Sequence, residues 1–216
     1  MFKRDRYLFL LVSLLSLMLI IPFFHGIFEL NTLIDISITA IFLSSLYAIS
    51  QKAQNVRIAL GVILPIIVGM WLANLMDIPN IRFLVDFCAI LFFAFTIIII
   101  LSALLQENKV TLDVIYGAVT VFLLMAVMWA FIFDVIETAH PGSFQVTASQ
   151  SQGTRVHFVY YSFVTITTVG YGDILPVSLI ARAFSIVEMV VGQIFLIVLV
   201  ARLVGINITQ SMKKKS

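Results

Sequence analysis

Apolar residues fill most of the chain in long blocks, separated by short polar or helix-breaking stretches such as Asn31 and Thr32, Gln51 and Lys52, and Pro79 and Asn80. Six blocks can be drawn, at 7–24, 33–50, 58–76, 83–105, 112–134 and 177–206. A helix rises 1.5 Å per residue, so about 20 apolar residues cross the ~30 Å hydrocarbon layer, and each block is predicted to span a membrane. Lipid offers no partner to unpaired backbone groups, so the spans must be helical.

The connection between the fifth and sixth blocks is the longest in the chain, and it is not uniform. Residues 138–154 are polar and rich in small side chains, which predicts an exposed outer loop. Residues 155–167 are apolar and aromatic but too short to cross, which predicts a helix that enters the membrane and stops. Such an element requires protein, not lipid, around the backbone that follows it.

Composition supports this picture. The chain is 62% hydrophobic and 11% charged, whereas about a quarter of the residues in a soluble domain carry charge. A net charge of +2 is too small to imply a nucleic-acid partner, and the basic residues stand at block edges. Lys3, Arg4 and Arg6 precede the first block, as in a signal peptide, but the block is long and ends in Pro22, Phe23, Phe24 and His25 with no small-residue cleavage site. It is kept as the first span. With the N-terminus in the cytoplasm, Lys52, Arg57, Lys109 and the terminal Lys213, Lys214 and Lys215 lie inside, and Arg82 and Arg155 lie near the outer surface. The terminal lysines anchor topology or dock anionic lipid. Cys88 reads as a small buried hydrophobe, and His25, His140 and His157 as solvated histidines rather than metal ligands. No catalytic triad, phosphate loop or metal box is present in the sequence, so neither an enzyme nor a cofactor is expected.

The run Thr167, Thr168, Val169, Gly170, Tyr171, Gly172, Asp173 follows the half-length helix directly. On these residues the chain resembles the pore module of the potassium channel family, over about residues 112–206. The first four spans match only in number and layout. The resemblance implies a selectivity filter at Thr168, Val169, Gly170, Tyr171, Gly172 and Asp173, with permeant potassium held by the backbone carbonyls of Thr168 to Tyr171 and by the Thr168 hydroxyl, as is known for that family's filter. Carbonyls that alternate along a strand turn to one side only with left-handed residues at intervals, which Gly170 and Gly172 adopt without steric cost. One chain supplies one such loop and a cage needs four, so a homotetramer is implied, with three further copies and the bilayer as partners.

Other positions follow from the same resemblance. Tyr160 and Tyr161 brace the filter, Tyr161 through a hydrogen bond towards Asp173, although Tyr160 also fits a membrane-interface aromatic. Val164 stands where some members carry a glutamate, so Asp173 has no carboxylate partner from that site. Gly192 occupies the family's helix hinge, or else is a packing glycine. Gln193, Leu196, Val200 and Val204 share a helical face that lines the inner vestibule, with an interhelical hydrogen bond as the alternative for Gln193. Glu188, an acid inside an apolar helix, is about 140° from Gln193, so it turns towards the pore helix as structural support, bonded to hydroxyls such as Thr165 or Thr167.

The expected molecule is an all-α membrane protein with six transmembrane helices and a re-entrant pore helix and selectivity filter between helices five and six. Residues 1–106 form a peripheral four-helix domain and 107–216 the pore domain. Its expected function is passive, potassium-selective conduction in the plasma membrane, with both termini cytoplasmic. The block at 83–105 contains no lysine or arginine, so steep voltage gating is not expected, and Asp86 there reads as a structural hydrogen-bonding group. A potassium uptake transporter subunit and a non-conducting modulatory subunit are the alternatives.

Overall fold

The computed structural model describes residues 6–24, 30–49, 53–76, 79–107, 109–146 and 155–213. Lys3, Arg4, His25, Lys52, Lys214 and Lys215 lie outside the described residues, as does the second half of the loop expected at 138–154. The element order is α1 (Arg6–Phe24), α2 (Leu30–Ile49), α3 (Ala53–Met76), α4 (Pro79–Gln106), α5 (Leu112–Ala139), β1 (Phe144–Val146), α6 (Arg155–Ile166), β2 (Ile174–Pro176) and α7 (Leu179–Lys213). Each expected block is a helix, and α6 is the short one.

Among the described residues, four helices are long and apolar enough to cross a membrane: Thr32–Ile49, Ile81–Gln106, Leu112–Ala139 and Leu179–Ile208. The apolar stretches of α1 and α3 are shorter, at Tyr7–Leu19 and Leu60–Ala73.

Helix α5 is the centre of the fold. It starts sharply because Thr111, in extended backbone, caps it by accepting from the Val114 amide at 3.3 Å, and Asp113 places negative charge in the positive first turn. Residues 107–111 form too short a link to carry α4 away, so α4 folds back antiparallel against α5. Helix α1 packs on α2 and on α5, and its Tyr7, Leu10, Leu14 and Leu17 recur at helical spacing and are all buried. A line of rings then ties α2 to α4 and α5: Phe42 stacks on Phe93 at 4.9 Å, and Phe93 meets Phe131 at 5.6 Å. Helices α1 and α4 thus rest on the fifth helix of their own chain, and α2 and α3 pack on them. At the other end of α4, Arg202 of α7 donates to the carbonyls of Leu105 and Glu107, placing a cation at a helix C-terminus.

The segment after α5 departs from the expected exposed loop. Residues 144–146 pair antiparallel with 174–176, Phe144 opposite Pro176 and Val146 opposite Ile174. Glu137 holds the turn, accepting from the amides of Gly142 at 2.8 Å and Phe144 at 3.1 Å. Phe144 is buried and meets Phe133, Phe158 and Tyr161 edge-on at 5.2–5.5 Å. The strand therefore clasps the chain on both sides of the 167–173 segment.

Candidate ion-conducting site

Helix α6 ends at Ile166, and the next residues turn back on it. The amide of Thr168 donates to the Thr165 carbonyl at 2.9 Å, and those of Val169 and Gly170 both reach the Val164 carbonyl, at 3.0 and 3.3 Å. The helix thereby satisfies its own C-terminal carbonyls with the amides of the following segment. Those amides are spent on the helix, and the carbonyls of the segment itself are left available. The C-terminal end of a helix also carries partial negative charge, which favours a cation beside it.

Backbone angles alternate in this segment. Thr168, Gly170 and Gly172 have φ of 60°, 57° and 80°, in the left-handed region. Left-handed residues at every second position turn successive carbonyls towards one side, whereas a regular strand alternates them. No atom lies within 4 Å of a Cβ built on Gly170 or Gly172, so it is the dihedral angle and not crowding within one chain that requires glycine at these two positions. Thr168 was not marked by sequence reasoning as a left-handed position, and a β-branched residue there carries strain of about 1–3 kcal/mol.

The supports behind the segment differ in detail from expectation. Asp173 interacts with Tyr160, and not with Tyr161. The two tyrosines are consecutive on a helix and point about 100° apart, so only one can face the segment. Tyr161 is buried and turns to α7, where its hydroxyl meets Ser185 Oγ at 2.7 Å. Ser185 gives its own proton to the Ala181 carbonyl, so the phenol is the donor to Ser185.

Glu188 is fully buried and faces α6, as the helical count requires, but its partner is Ser162 at 2.5 Å instead of Thr165 or Thr167. Ser162 lies one turn before the expected hydroxyls and also bonds the Ala126 carbonyl of α5 at 2.6 Å. Thr167 bonds the Phe163 carbonyl of its own helix at 2.6 Å. One hydroxyl therefore joins α5, α6 and α7.

Helix α7 runs unbroken through Gly192. What this glycine supplies is close approach: a Cβ there would stand 2.6 Å from Ile166 Cγ1 and 3.0 Å from the Ile166 carbonyl oxygen. Below it, Gln193, Val200 and Val204 are exposed in the single chain, and Leu196 is half-buried on the same side. Val169 and Tyr171 are 52% and 72% exposed. An open groove of about 370 Å³ beside the segment is lined by Tyr161, Thr165, Thr168, Gly170 and Ser185, among others.

Residues 110–209 match a family model described as Ion channel. Over this stretch the chain is similar to ion channels. The match starts just before α5 and runs into the last turns of α7, so it contains every residue of the site above. No curated protein and no solved structure matches the chain. The matched stretch also contains a buried charged residue. Arg155 is 6% exposed and lies among Asp35, Asp86 and Asp134. Intramembrane acids need a partner, so Asp35, Asp86 and Asp134 within apolar blocks were the available signal.

Proposed function

We propose that the protein is a potassium-selective channel in which four copies surround one axis and potassium passes down its electrochemical gradient. The observation that carries this reading is the left-handed backbone at Thr168, Gly170 and Gly172, joined to amides that are spent on the pore helix. A dehydrated potassium ion needs a ring of oxygens with no donors turned towards it, and carbonyls of Thr168, Val169, Gly170 and Tyr171 suit that need. Thr168, Val169, Gly170, Tyr171, Gly172 and Asp173 are the filter in this reading, and Tyr160, Tyr161 and Glu188 its supports.

Four copies follow because one loop supplies only a quarter of such a ring. Helix α7 fits this role: nearly all of its apolar surface is bare in one chain, including Leu179, Ile186, Ile194, Ile197 and Val200. Gln193, Leu196, Val200 and Val204 then line the inner vestibule, with Gly192 setting the contact between α7 and the pore helix. Residues 1–106 form a peripheral domain and 107–216 the pore domain, in the plasma membrane with both termini in the cytoplasm. No cofactor is required, since the permeant ion supplies the only ligand.

Reconstituting the purified protein into liposomes loaded with potassium or with sodium tests the reading. Dissipation of a potassium gradient with retention of a sodium gradient supports it. Equal leakage of both, or none, contradicts it.

A further inference from the structure

At one end of the bundle, four helices bring five charged side chains together. Arg155, the first residue of α6, is the hub. Its Nε lies 3.2 Å from Asp134 Oδ2 on α5, its Nη2 2.5 Å from Asp86 Oδ1 on α4, and its Nη1 3.4 Å from Asp35 Oδ1 on α2. The guanidinium also lies over the Phe131 ring, 4.8 Å from its centre. Arg82, one-third exposed, closes the cluster with Nη2 at 3.0 Å from Asp134. Its Nε stands 3.9 Å from Asp86 Oδ2, too far for a hydrogen bond.

The charges do not balance. Three carboxylates face two guanidiniums, and all three carboxylates are nearly or fully buried. Asp134 is shared by both arginines, and Asp86 holds one short charge-assisted bond. Among the described residues Asp35 has a single ionic contact, the longest of those to Arg155. Independently, Asp86 Oδ2 is buried with no hydrogen-bond partner, as is Arg82 Nε. A buried carboxylate in excess of its cations is costly unless something positive joins it. Arg155 fills the centre, and among the described residues no group of His, Cys, Asp or Glu is placed to hold a metal ion. The other titratable groups nearby are Glu137 on α5, occupied by the amides of Gly142 and Phe144, and His157, two residues along α6.

We propose that this cluster is a proton-binding site, and that proton binding at Asp35 loosens the pore helix α6 from helix α2. A neutral Asp35 keeps at most a weak hydrogen bond to Arg155 and loses the charge attraction, while Asp86 and Asp134 hold the arginine with two negative charges against two positive. Arg155 is the start of a twelve-residue helix whose last carbonyls hold the amides of Thr168, Val169 and Gly170. A rigid rod of about 18 Å therefore links the cluster to the filter segment. The consequence for conduction rests on the channel reading above; the proton site does not.

The test uses the full chain in liposomes, wild type and Asp35→Asn, titrated from alkaline to acid pH. Asparagine removes the excess charge and retains the shape, so the variant is expected to fold. Two readouts do not depend on transport. Infrared difference spectra should show a protonated-carboxyl band growing in wild type and absent in Asp35→Asn. Amide hydrogen exchange at the start of α6, corrected for the intrinsic pH effect, should accelerate on acidification in wild type and be fast at every pH in the variant. A band that persists in Asp35→Asn, or α6 exchange that ignores pH in wild type, overturns the proposal. Potassium flux should vary several-fold with pH in wild type and stay flat in Asp35→Asn. Absence of selective flux in both proteins counts against the channel reading, while the band and the exchange still decide the proton site.

Discussion

Ser162 Oγ lies 2.5 Å from Glu188 Oε1 and 2.6 Å from the carbonyl oxygen of Ala126. A serine hydroxyl has one proton, and a backbone carbonyl can only accept. If Ser162 donates to Ala126, the bond to Glu188 is satisfied only when the acid carries the second proton and donates it to Ser162. Among the described residues the other carboxyl oxygen, Oε2, has no hydrogen-bond partner, and no cation is paired with the acid in its fully buried position. A neutral carboxylic acid accounts for all three observations, and an ionised one for none. Glu188 thus acts as a neutral strut that joins α7 to α6 and α5 through Ser162.

Replacing Glu188 by Gln keeps a donor for Ser162 and nearly the same shape. Unitary conductance and oligomer stability should remain close to wild type. Glu188→Leu removes the donor and should lower the stability of the assembly by about 1 kcal/mol, read as a lower temperature of dissociation on a detergent gel. A large loss of conductance in Glu188→Gln would instead place the carboxylate in the ion's field.

Gly170→Ala should abolish selective current, because a left-handed dihedral with a β-carbon costs about 1–2 kcal/mol and the segment will relax away from it. Gly61, in helix α3 with nothing within 4 Å of a built Cβ, provides the control. Gly61→Ala should leave current unchanged, since alanine is the better helix former. Equal current in Gly170→Ala and wild type would mean that the left-handed angle does not require glycine at this position.

Loss of the two tyrosine hydroxyls should have different consequences. Tyr160→Phe frees Asp173 beside the filter segment, and should destabilise the conducting state, seen as faster loss of current during maintained recording. Tyr161→Phe retains the ring among Phe133 and Phe144, and Ser185 keeps its bond to Ala181, so current should persist with a stability loss of about 1 kcal/mol or less. The reverse ranking would restore Tyr161 as the partner of Asp173.

Much of this arrangement was legible in the chain. Block length separated the short α6 from its neighbours, and the Gly170 and Gly172 spacing anticipated two left-handed positions. Helical counting turned Glu188 to α6. Where the reading fell short, the cause was a contact between segments distant in sequence. Phe144 lies in a polar stretch, and only the pairing with Ile174–Pro176 makes it a strand. Arg155 is equally plausible as a surface cation until α2, α4 and α5 converge on it. Thr168 gave no local sign of a left-handed backbone, because threonine disfavours it and the turn back onto α6 imposes it. The choice between Thr165 and Ser162 as the partner of Glu188 is one helical turn, below the resolution of counting.

Open probability should change only shallowly with voltage. Moving one charge through the full field is worth about 2.3 kcal/mol per 100 mV, and steep gating uses about 3–4 charges in each of four subunits. Residues 83–105 of α4 carry no arginine or lysine, and Arg82 at its start is tied to Asp134 of α5. Symmetrical-potassium recordings from strongly negative to positive potentials test this. A steep sigmoidal activation curve would contradict it.

The reversal potential of single channels in a planar bilayer, with potassium on one side and sodium on the other, tests the central claim most directly. Selectivity by a ring of carbonyls predicts a reversal far from zero, on the side set by potassium, and its loss in Gly170→Ala. A reversal near zero in the wild-type protein would contradict the account.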